Sequence, residues 1–168
     1  QRPLRRYHVF SDAAARALGS RFEDEVPALR EEATAAQTPL ELGVALSHLV
    51  NALHDPHVAF TPAVEHKPLT TGLRFDVEFL EGAPRFWVRE VEDPALAASV
   101  REGDVLVKVT FAGRELDAAE LPRAWRFDSN ENGPRGVAHD LARLLGERVP
   151  GVSLAAPEGP VRYVLRHR

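Results

Sequence analysis

The stretch Gly72-Leu73-Arg74-Phe75 has the composition of an anion-binding turn. Glycine permits the positive φ that a tight turn needs. Consecutive N–H groups in such a turn point into one concavity and can bind a carboxylate. A strand is expected directly after this turn, and an exposed strand edge can accept a peptide as an added strand. The stretch is therefore a candidate anion-binding turn beside a strand edge, while an ordinary strand start after a glycine turn is the alternative interpretation.

Three histidines and one aspartate, His54, Asp55, His57 and His66, are close together in the sequence. A zinc site needs three or four ligands in a fixed geometry. Pro56 separates His54 from His57 at the end of an expected helix, so this spacing does not fix convergence of the rings. The alternative is that Asp55 and His57 hydrogen-bond the helix end to the following linker. We predict neither a metal nor a cofactor.

The two lysines, Lys67 and Lys108, are the candidates for the base of a serine–lysine dyad. Lys108 lies in an expected strand and Lys67 in an expected linker. The sequence indicates no serine in the strained strand-to-helix turn of a nucleophile elbow, and nothing in it positions a Ser–His–Asp set. We predict no catalytic residue in this chain.

The central part of the chain predicts a hairpin of two strands and a buried strand after it. Apolar and polar residues alternate from Leu73 to Phe79, which is typical of a strand with one buried face. The other expected elements, in chain order, are a turn over 81–84, a strand around 85–89, a short helical turn after Asp93-Pro94, a buried strand over 105–109 and a closing strand over 160–165. Together they predict one hairpin, a buried central strand and a closing strand.

Helices are expected on both sides of this sheet. Thr38, Pro39 and Glu41 form a capping-box sequence that opens a helix expected to reach residue 54. A second helix is expected from Pro134, with Gly146 as its stop. Residues 11–34 also have helical composition, interrupted by Pro27, and Asp117 can cap a short helix. The fold class expected from all these elements is α+β, with a helical region over 1–66 and a sheet domain over 67–168.

Composition narrows the function classes. The net charge of −4 argues against a nucleic-acid surface, and no apolar run approaches the roughly 20 residues that cross a bilayer. The absence of cysteine excludes disulfides and thiolate metal sites. The content of apolar residues, 44%, and of charged residues, 27%, is ordinary for a soluble protein.

The order strand, hairpin, strand, short helix, Gly-Asp turn and buried strand resembles a PDZ domain. That resemblance implies a partly open β-barrel with flanking helices, and a groove between the strand after Gly72 and the helix from Pro134. In that family a Gly-Leu-Gly-Phe-type loop binds the terminal carboxylate, and here Arg74 stands at its third position. The peptide-binding residues that the resemblance implies are Gly72, Leu73, Arg74, Phe75, Val137 and Leu141. For Val137 and Leu141 the alternative is that they belong to the core, as the residues of an apolar helix stripe usually do.

The chain also resembles the region before the catalytic domain of carboxyl-terminal-processing serine peptidases, the tail-specific proteases. The resemblance rests on Leu53-x-Asp55-x-His57, Asp93-Pro94-Ala95, Gly103-Asp104-Val105 and Gly159 followed by 161–168. It implies an exported, non-catalytic region that binds substrate C-termini or acts as a lid, with the catalytic domain outside this chain. A stand-alone PDZ-type scaffold without a peptidase is the alternative.

Overall fold

The computed structural model describes residues 16, 19, 21–58, 60, 69–111, 114–125, 129, 131, 133–148 and 161–167. The helices of these residues are α1 (Phe22–Ala35), α2 (Pro39–Asn51), α3 (Leu121–Ala124), which follows a 3-10 turn (Ala118–Glu120), and α4 (Pro134–Gly146). The strands are β1 (Leu69–Thr70), β2 (Leu73–Leu80), β3 (Ala83–Val91), β4 (Val105–Phe111), β5 (Arg114–Asp117), β6 (Glu147–Arg148) and β7 (Arg162–Arg166). The predicted α+β class is confirmed.

The chain forms two compact units. The first unit comprises Gln1–Glu65 and Arg126–Val137, and the second comprises His66–Trp125 and Ala138–Arg168. Helix α4 therefore begins in the first unit and ends in the second. The division into domains 1–66 and 67–168 stays a prediction, because compactness alone does not show that either part folds independently.

In the first unit, local sequence signals fix the start of α2. The Thr38 hydroxyl accepts a hydrogen bond from the Glu41 N–H at 3.1 Å, and the Glu41 carboxylate accepts one from the Thr38 N–H at 3.0 Å. The predicted capping box is confirmed, and it satisfies two N–H groups that a helix start leaves without partners. The helix ends at Asn51, three residues before the predicted end.

Helix α1 contains Pro27, where we expected a kink or a second helix start. The helix begins at Phe22 and runs through Pro27 to Ala35. Proline in the second turn has no N–H to donate to the carbonyl of Glu23, so one helical hydrogen bond is missing there. The helix expected over 11–22 lies almost entirely outside the described residues.

The sheet of the second unit is antiparallel, and its described strands do not close into the partly open barrel that we expected. The path β2-β3-β4-β5 is joined by β7, which also pairs with β4. Strand β4 is central because Val105 pairs with both Trp87 and Arg166. Strand β2 pairs with β3 alone in the described part of the chain and is therefore an edge strand. Strands β1 and β6 form a separate two-stranded sheet.

The period-two pattern of β2 places one face in the interior, as predicted. Leu73, Phe75 and Val77 are buried, while Arg74 between them is exposed. Phe75 packs edge-on against Tyr163, with ring centroids 5.3 Å apart. Burial of each large apolar side chain contributes about 1.5–3 kcal/mol, so the inward face holds β2 on the sheet.

The Gly103-Asp104 turn joins β3 to β4 and to the last described strand. The Gly103 N–H donates to the Val88 carbonyl at 2.7 Å, and the Val88 N–H donates to the Asp104 carbonyl at 2.8 Å. The buried Asp104 carboxylate accepts the Arg101 N–H and contacts His167 Nδ1, each at 2.8 Å. Burial acts to raise the pKa of Asp104, but these two contacts outweigh it and lower that pKa below its ordinary value.

Candidate functional site

A cleft of about 370 Å³ lies in the second unit between edge strand β2 and helix α4. Strand β2 contributes four consecutive residues to its wall, Leu73, Arg74, Phe75 and Asp76. Helix α4 contributes one face, formed by His139, Ala142, Arg143 and Gly146. The remaining lining residues are charged: Arg89, Glu92 and Glu147. The cleft therefore has an edge strand as one wall and a helix face as the other.

Gly72, directly before β2, is held in a conformation that only glycine adopts there without strain. Its φ is +73°, and a Cβ at this position would lie 2.5 Å from the Cβ of Asp93. Its carbonyl accepts hydrogen bonds from the N–H groups of Glu92 and Asp93, at 2.8 and 3.1 Å. The predicted turn at Gly72 therefore depends on the positive φ of the glycine and also on its contacts with the residues that follow β3.

The cleft is closed where β2 begins. The Thr71 N–H donates to the Gly146 carbonyl at 3.0 Å, and the Tyr163 hydroxyl donates to the Leu145 carbonyl at 2.8 Å. A Cβ on Gly146 would lie 2.7 Å from the Leu73 carbonyl oxygen, so only glycine lets the helix end approach the strand this closely. The end of α4 and the start of β2 are thus in direct contact.

Arg74, at the strand wall, is surrounded by acidic residues. Its guanidinium forms an ion pair with Glu92 and lies 3.7 Å from the Glu90 carboxylate. The hydrogen bond to Glu92 raises the pKa of Arg74, and the charges of Glu92, Glu90 and Glu147 raise it further. The charge of Arg74 is therefore compensated within the cleft.

A β-bulge in β3 lies at Arg89, which lines the cleft. Arg74 pairs with Glu90 while Phe75 pairs with Val88, so Arg89 is an extra residue in β3. Arg89 and Glu90 are both exposed, although regular alternation would bury one of them. Bulges redirect side chains in this way.

The predicted peptide-binding residues divide into two groups. Leu73, Arg74 and Phe75 line the cleft and Gly72 precedes them, so the structure brings the four loop residues together. Val137 and Leu141 are fully buried and are not among the lining residues. Their role in binding a ligand side chain stays a prediction.

Sequence reasoning missed the helix residues that line the cleft, although a signal was available. His139, Ala142, Arg143 and Gly146 are spaced by three, four and seven residues, which places them on one helix face. We followed the apolar stripe instead, and this stripe faces the interior. Arg89 is on the exposed face that the alternation with Phe86 and Val88 predicts, but that pattern does not indicate that this face borders the cleft.

The other candidate chemical groups form hydrogen-bonding contacts of their own. Asp55 Oδ1 accepts the His57 N–H at 2.9 Å and lies 3.0 Å from His57 Nδ1, in agreement with the hydrogen-bonding interpretation of this segment. His54 is buried and its Nδ1 lies 3.1 Å from the Glu131 carbonyl oxygen. Across the described residues, no group of three or more metal-ligating side chains has a geometry that could hold an ion. His66 lies outside them.

Lys108 has the environment of a surface cation. Its ammonium group lies 2.6 Å from the Glu115 carboxylate on the neighbouring strand. This hydrogen bond raises the pKa of Lys108, whereas a lysine that acts as a general base needs a lowered pKa. Lys67, the other lysine, lies outside the described residues.

Comparisons with family models, curated proteins and solved structures gave no match to this chain. Among the described helices, none has both the length and the apolar character needed to cross a membrane.

Proposed function

We propose that the second unit is a PDZ-like module that binds the C-terminus of a peptide or protein. In this proposal it serves as the recognition region of a carboxyl-terminal-processing serine peptidase whose catalytic domain lies outside this chain. The observation that carries the proposal is the cleft between edge strand β2 and helix α4, which begins beside the turn at Gly72. An edge strand offers N–H and C=O groups with which an added strand can pair.

The closed end of the cleft favours a chain terminus as the ligand. A peptide that runs antiparallel to β2 brings its C-terminus to the start of β2, at Leu73. The contact between Gly146 and Leu73 leaves no passage for the peptide to continue. N–H groups that follow a glycine with positive φ can bind the terminal carboxylate at this point.

The peptidase part of the proposal is supported by the ordered sequence motifs. Two of these motifs have local structural roles. In Asp93-Pro94-Ala95 the Asp93 carboxylate accepts the Ala95 N–H at 2.9 Å, which starts the helical turn after β3. In Gly103-Asp104 the glycine has a φ of +90°, and the aspartate is buried against His167.

The test is a titration of the purified chain with a library of labelled peptides that end in a free carboxylate, followed by fluorescence anisotropy. The same peptides with amidated ends are titrated in parallel. We expect binding that amidation abolishes, with amide chemical-shift changes at residues 72–75 and 142–146. Absence of binding, or equal binding by amidated peptides, would overturn the carboxylate site.

A cleft-blocking variant sharpens this experiment. His139 is exposed on the cleft, so His139→Trp places a large ring between the two walls. Ser99→Trp is the matched control, because Ser99 is exposed on the turn after β3 and does not line the cleft. We expect weaker peptide binding for His139→Trp alone.

A further inference from the structure

The cleft is lined by opposite charges that are unevenly distributed. Three arginines and three acidic residues face it, so its formal charge is close to zero with histidine neutral. The lining residues Glu92 and Glu147, together with Glu90 beside the cleft, compensate the positive charge of Arg74 and raise its pKa. Asp76, the third lining acid, accepts the Val77 N–H through Oδ1 at 2.7 Å.

Two lining arginines are left without such compensation. Arg89 projects from the bulge of β3, and Arg143 lies on the cleft face of α4. Neither guanidinium has an ion-pair or hydrogen-bond partner within the described part of the chain. His139 lies four residues before Arg143 on the same helix face and is also exposed. A positive subsite therefore adjoins the compensated charges around Arg74.

We propose that this subsite selects ligands that carry an aspartate or glutamate side chain near their C-terminus. The inference rests on the proposed function, because it assumes that a peptide lies along β2. A carboxylate side chain on the peptide can pair with Arg143 from the helix side or with Arg89 from the strand side. Arginine suits this role because its planar guanidinium binds a carboxylate through two parallel hydrogen bonds. Arg74 is excluded from it because Glu92 already occupies its guanidinium.

The experiment compares pairs of labelled peptides that differ by one glutamate-to-glutamine replacement. The replacement is moved from the last residue to the sixth residue from the end, and each peptide has a free carboxylate. We expect the glutamate peptide to bind about fivefold more tightly at one or two adjacent positions, which is the upper range for an exposed ion pair. The preference should decrease at 1 M salt, where the Debye length falls from about 8 Å to about 3 Å.

Arginine variants of the full chain test whether the preference for glutamate peptides comes from this subsite. Arg143→Gln and Arg89→Gln should each reduce the ratio of glutamate to glutamine affinity, while Arg143→Lys should retain part of it. Arg162→Gln is the matched control, because Arg162 is exposed on β7 and does not line the cleft. Circular dichroism of each variant checks that the fold is unchanged.

The outcomes separate this inference from the proposed function. If peptides bind only with a free terminal carboxylate and the glutamate and glutamine forms bind equally, the acidic preference is wrong and the proposed function stands. A preference that survives both Arg143→Gln and Arg89→Gln would also overturn the assignment. If no peptide binds, the proposed function fails and this inference fails with it.

Discussion

The two units of this chain are specified in different ways. In the first unit, the start of α2 is set by residues 38–41, which lie within one helical turn of each other. In the second unit, the turn at Gly72 depends on Asp93, and the closing strand depends on Asp104 and His167. The capping residues of α2 can form their hydrogen bonds before any tertiary structure exists. The contacts of Gly72 and Asp104 form only when segments that are distant in the sequence pack together. Substitutions in the second unit should therefore affect packing over a wider region.

The largest effect is expected for Gly72→Ala. A residue with Cβ at a φ of +73° costs about 1–2 kcal/mol, and the 2.5 Å approach to Asp93 adds an overpacking cost of about 1–3 kcal/mol. Urea unfolding followed by tryptophan fluorescence measures the sum, which we expect near 3 kcal/mol. Gly82→Ala is the matched control, because its φ is +84° and nothing lies within 4 Å of the added Cβ. Equal losses in the two variants would show that the contact with Asp93 is unimportant.

The next effect is expected for Asp104→Asn, which removes a buried charge that accepts the Arg101 N–H. We expect a loss of about 1.5–2 kcal/mol at pH 7, at the lower end of the range for a hydrogen bond to a charged group. The folded-state pKa of Asp104 lies below its unfolded value. The contribution of ionised Asp104 to the free energy of unfolding is therefore complete above the unfolded-state pKa of about 3.9. It is lost as the pH falls through the folded-state pKa. Denaturation curves from pH 7 to pH 2 should show wild type and variant converging below about pH 4, and a constant difference would contradict this.

A smaller and more local effect is expected for Thr38→Ala in the first unit. Loss of the N-cap hydroxyl should cost about 1 kcal/mol. Because Thr38 and Glu41 bond to each other's N–H groups, the double variant with Glu41→Ala should lose less than the sum of the two single variants. Additive losses in chemical denaturation would show that the two bonds act independently.

The smallest effect is expected for Lys108→Gln, which removes the ion pair with Glu115. Both side chains are exposed, and water and salt screen such pairs. The midpoint of thermal unfolding should stay within experimental error of the wild-type value. A clear shift would indicate that Lys108 has a structural role beyond this surface pair.

From the sequence we predicted most of the helices, strands and turns. Of the residues that line the cleft, we predicted those at the start of β2 but not those of α4. The alternation from Leu73 to Phe79 fixed strand β2 and its buried face, because side chains of a strand alternate between two faces. The turn was placed over 81–84, yet Glu81 and Gly82 form it alone, since both have positive φ and fit a two-residue hairpin loop. On α4 the apolar residues Val137 and Leu141 were expected either to line the ligand pocket or to belong to the core; the structure buries both, and their role in binding stays a prediction.

The sequence by itself determined the capped helix α2, the amphipathic strand β2, the glycine turn before it and the α+β class. These depend on hydrogen bonds and side-chain periods that operate within a few residues. Only the tertiary structure decided that β2 is an edge strand, that Gly146 closes the cleft against Leu73, and that a bulge leaves Glu90 exposed beside Arg89. Each of these features joins residues that are distant in the sequence, and no local preference of either segment specifies the other.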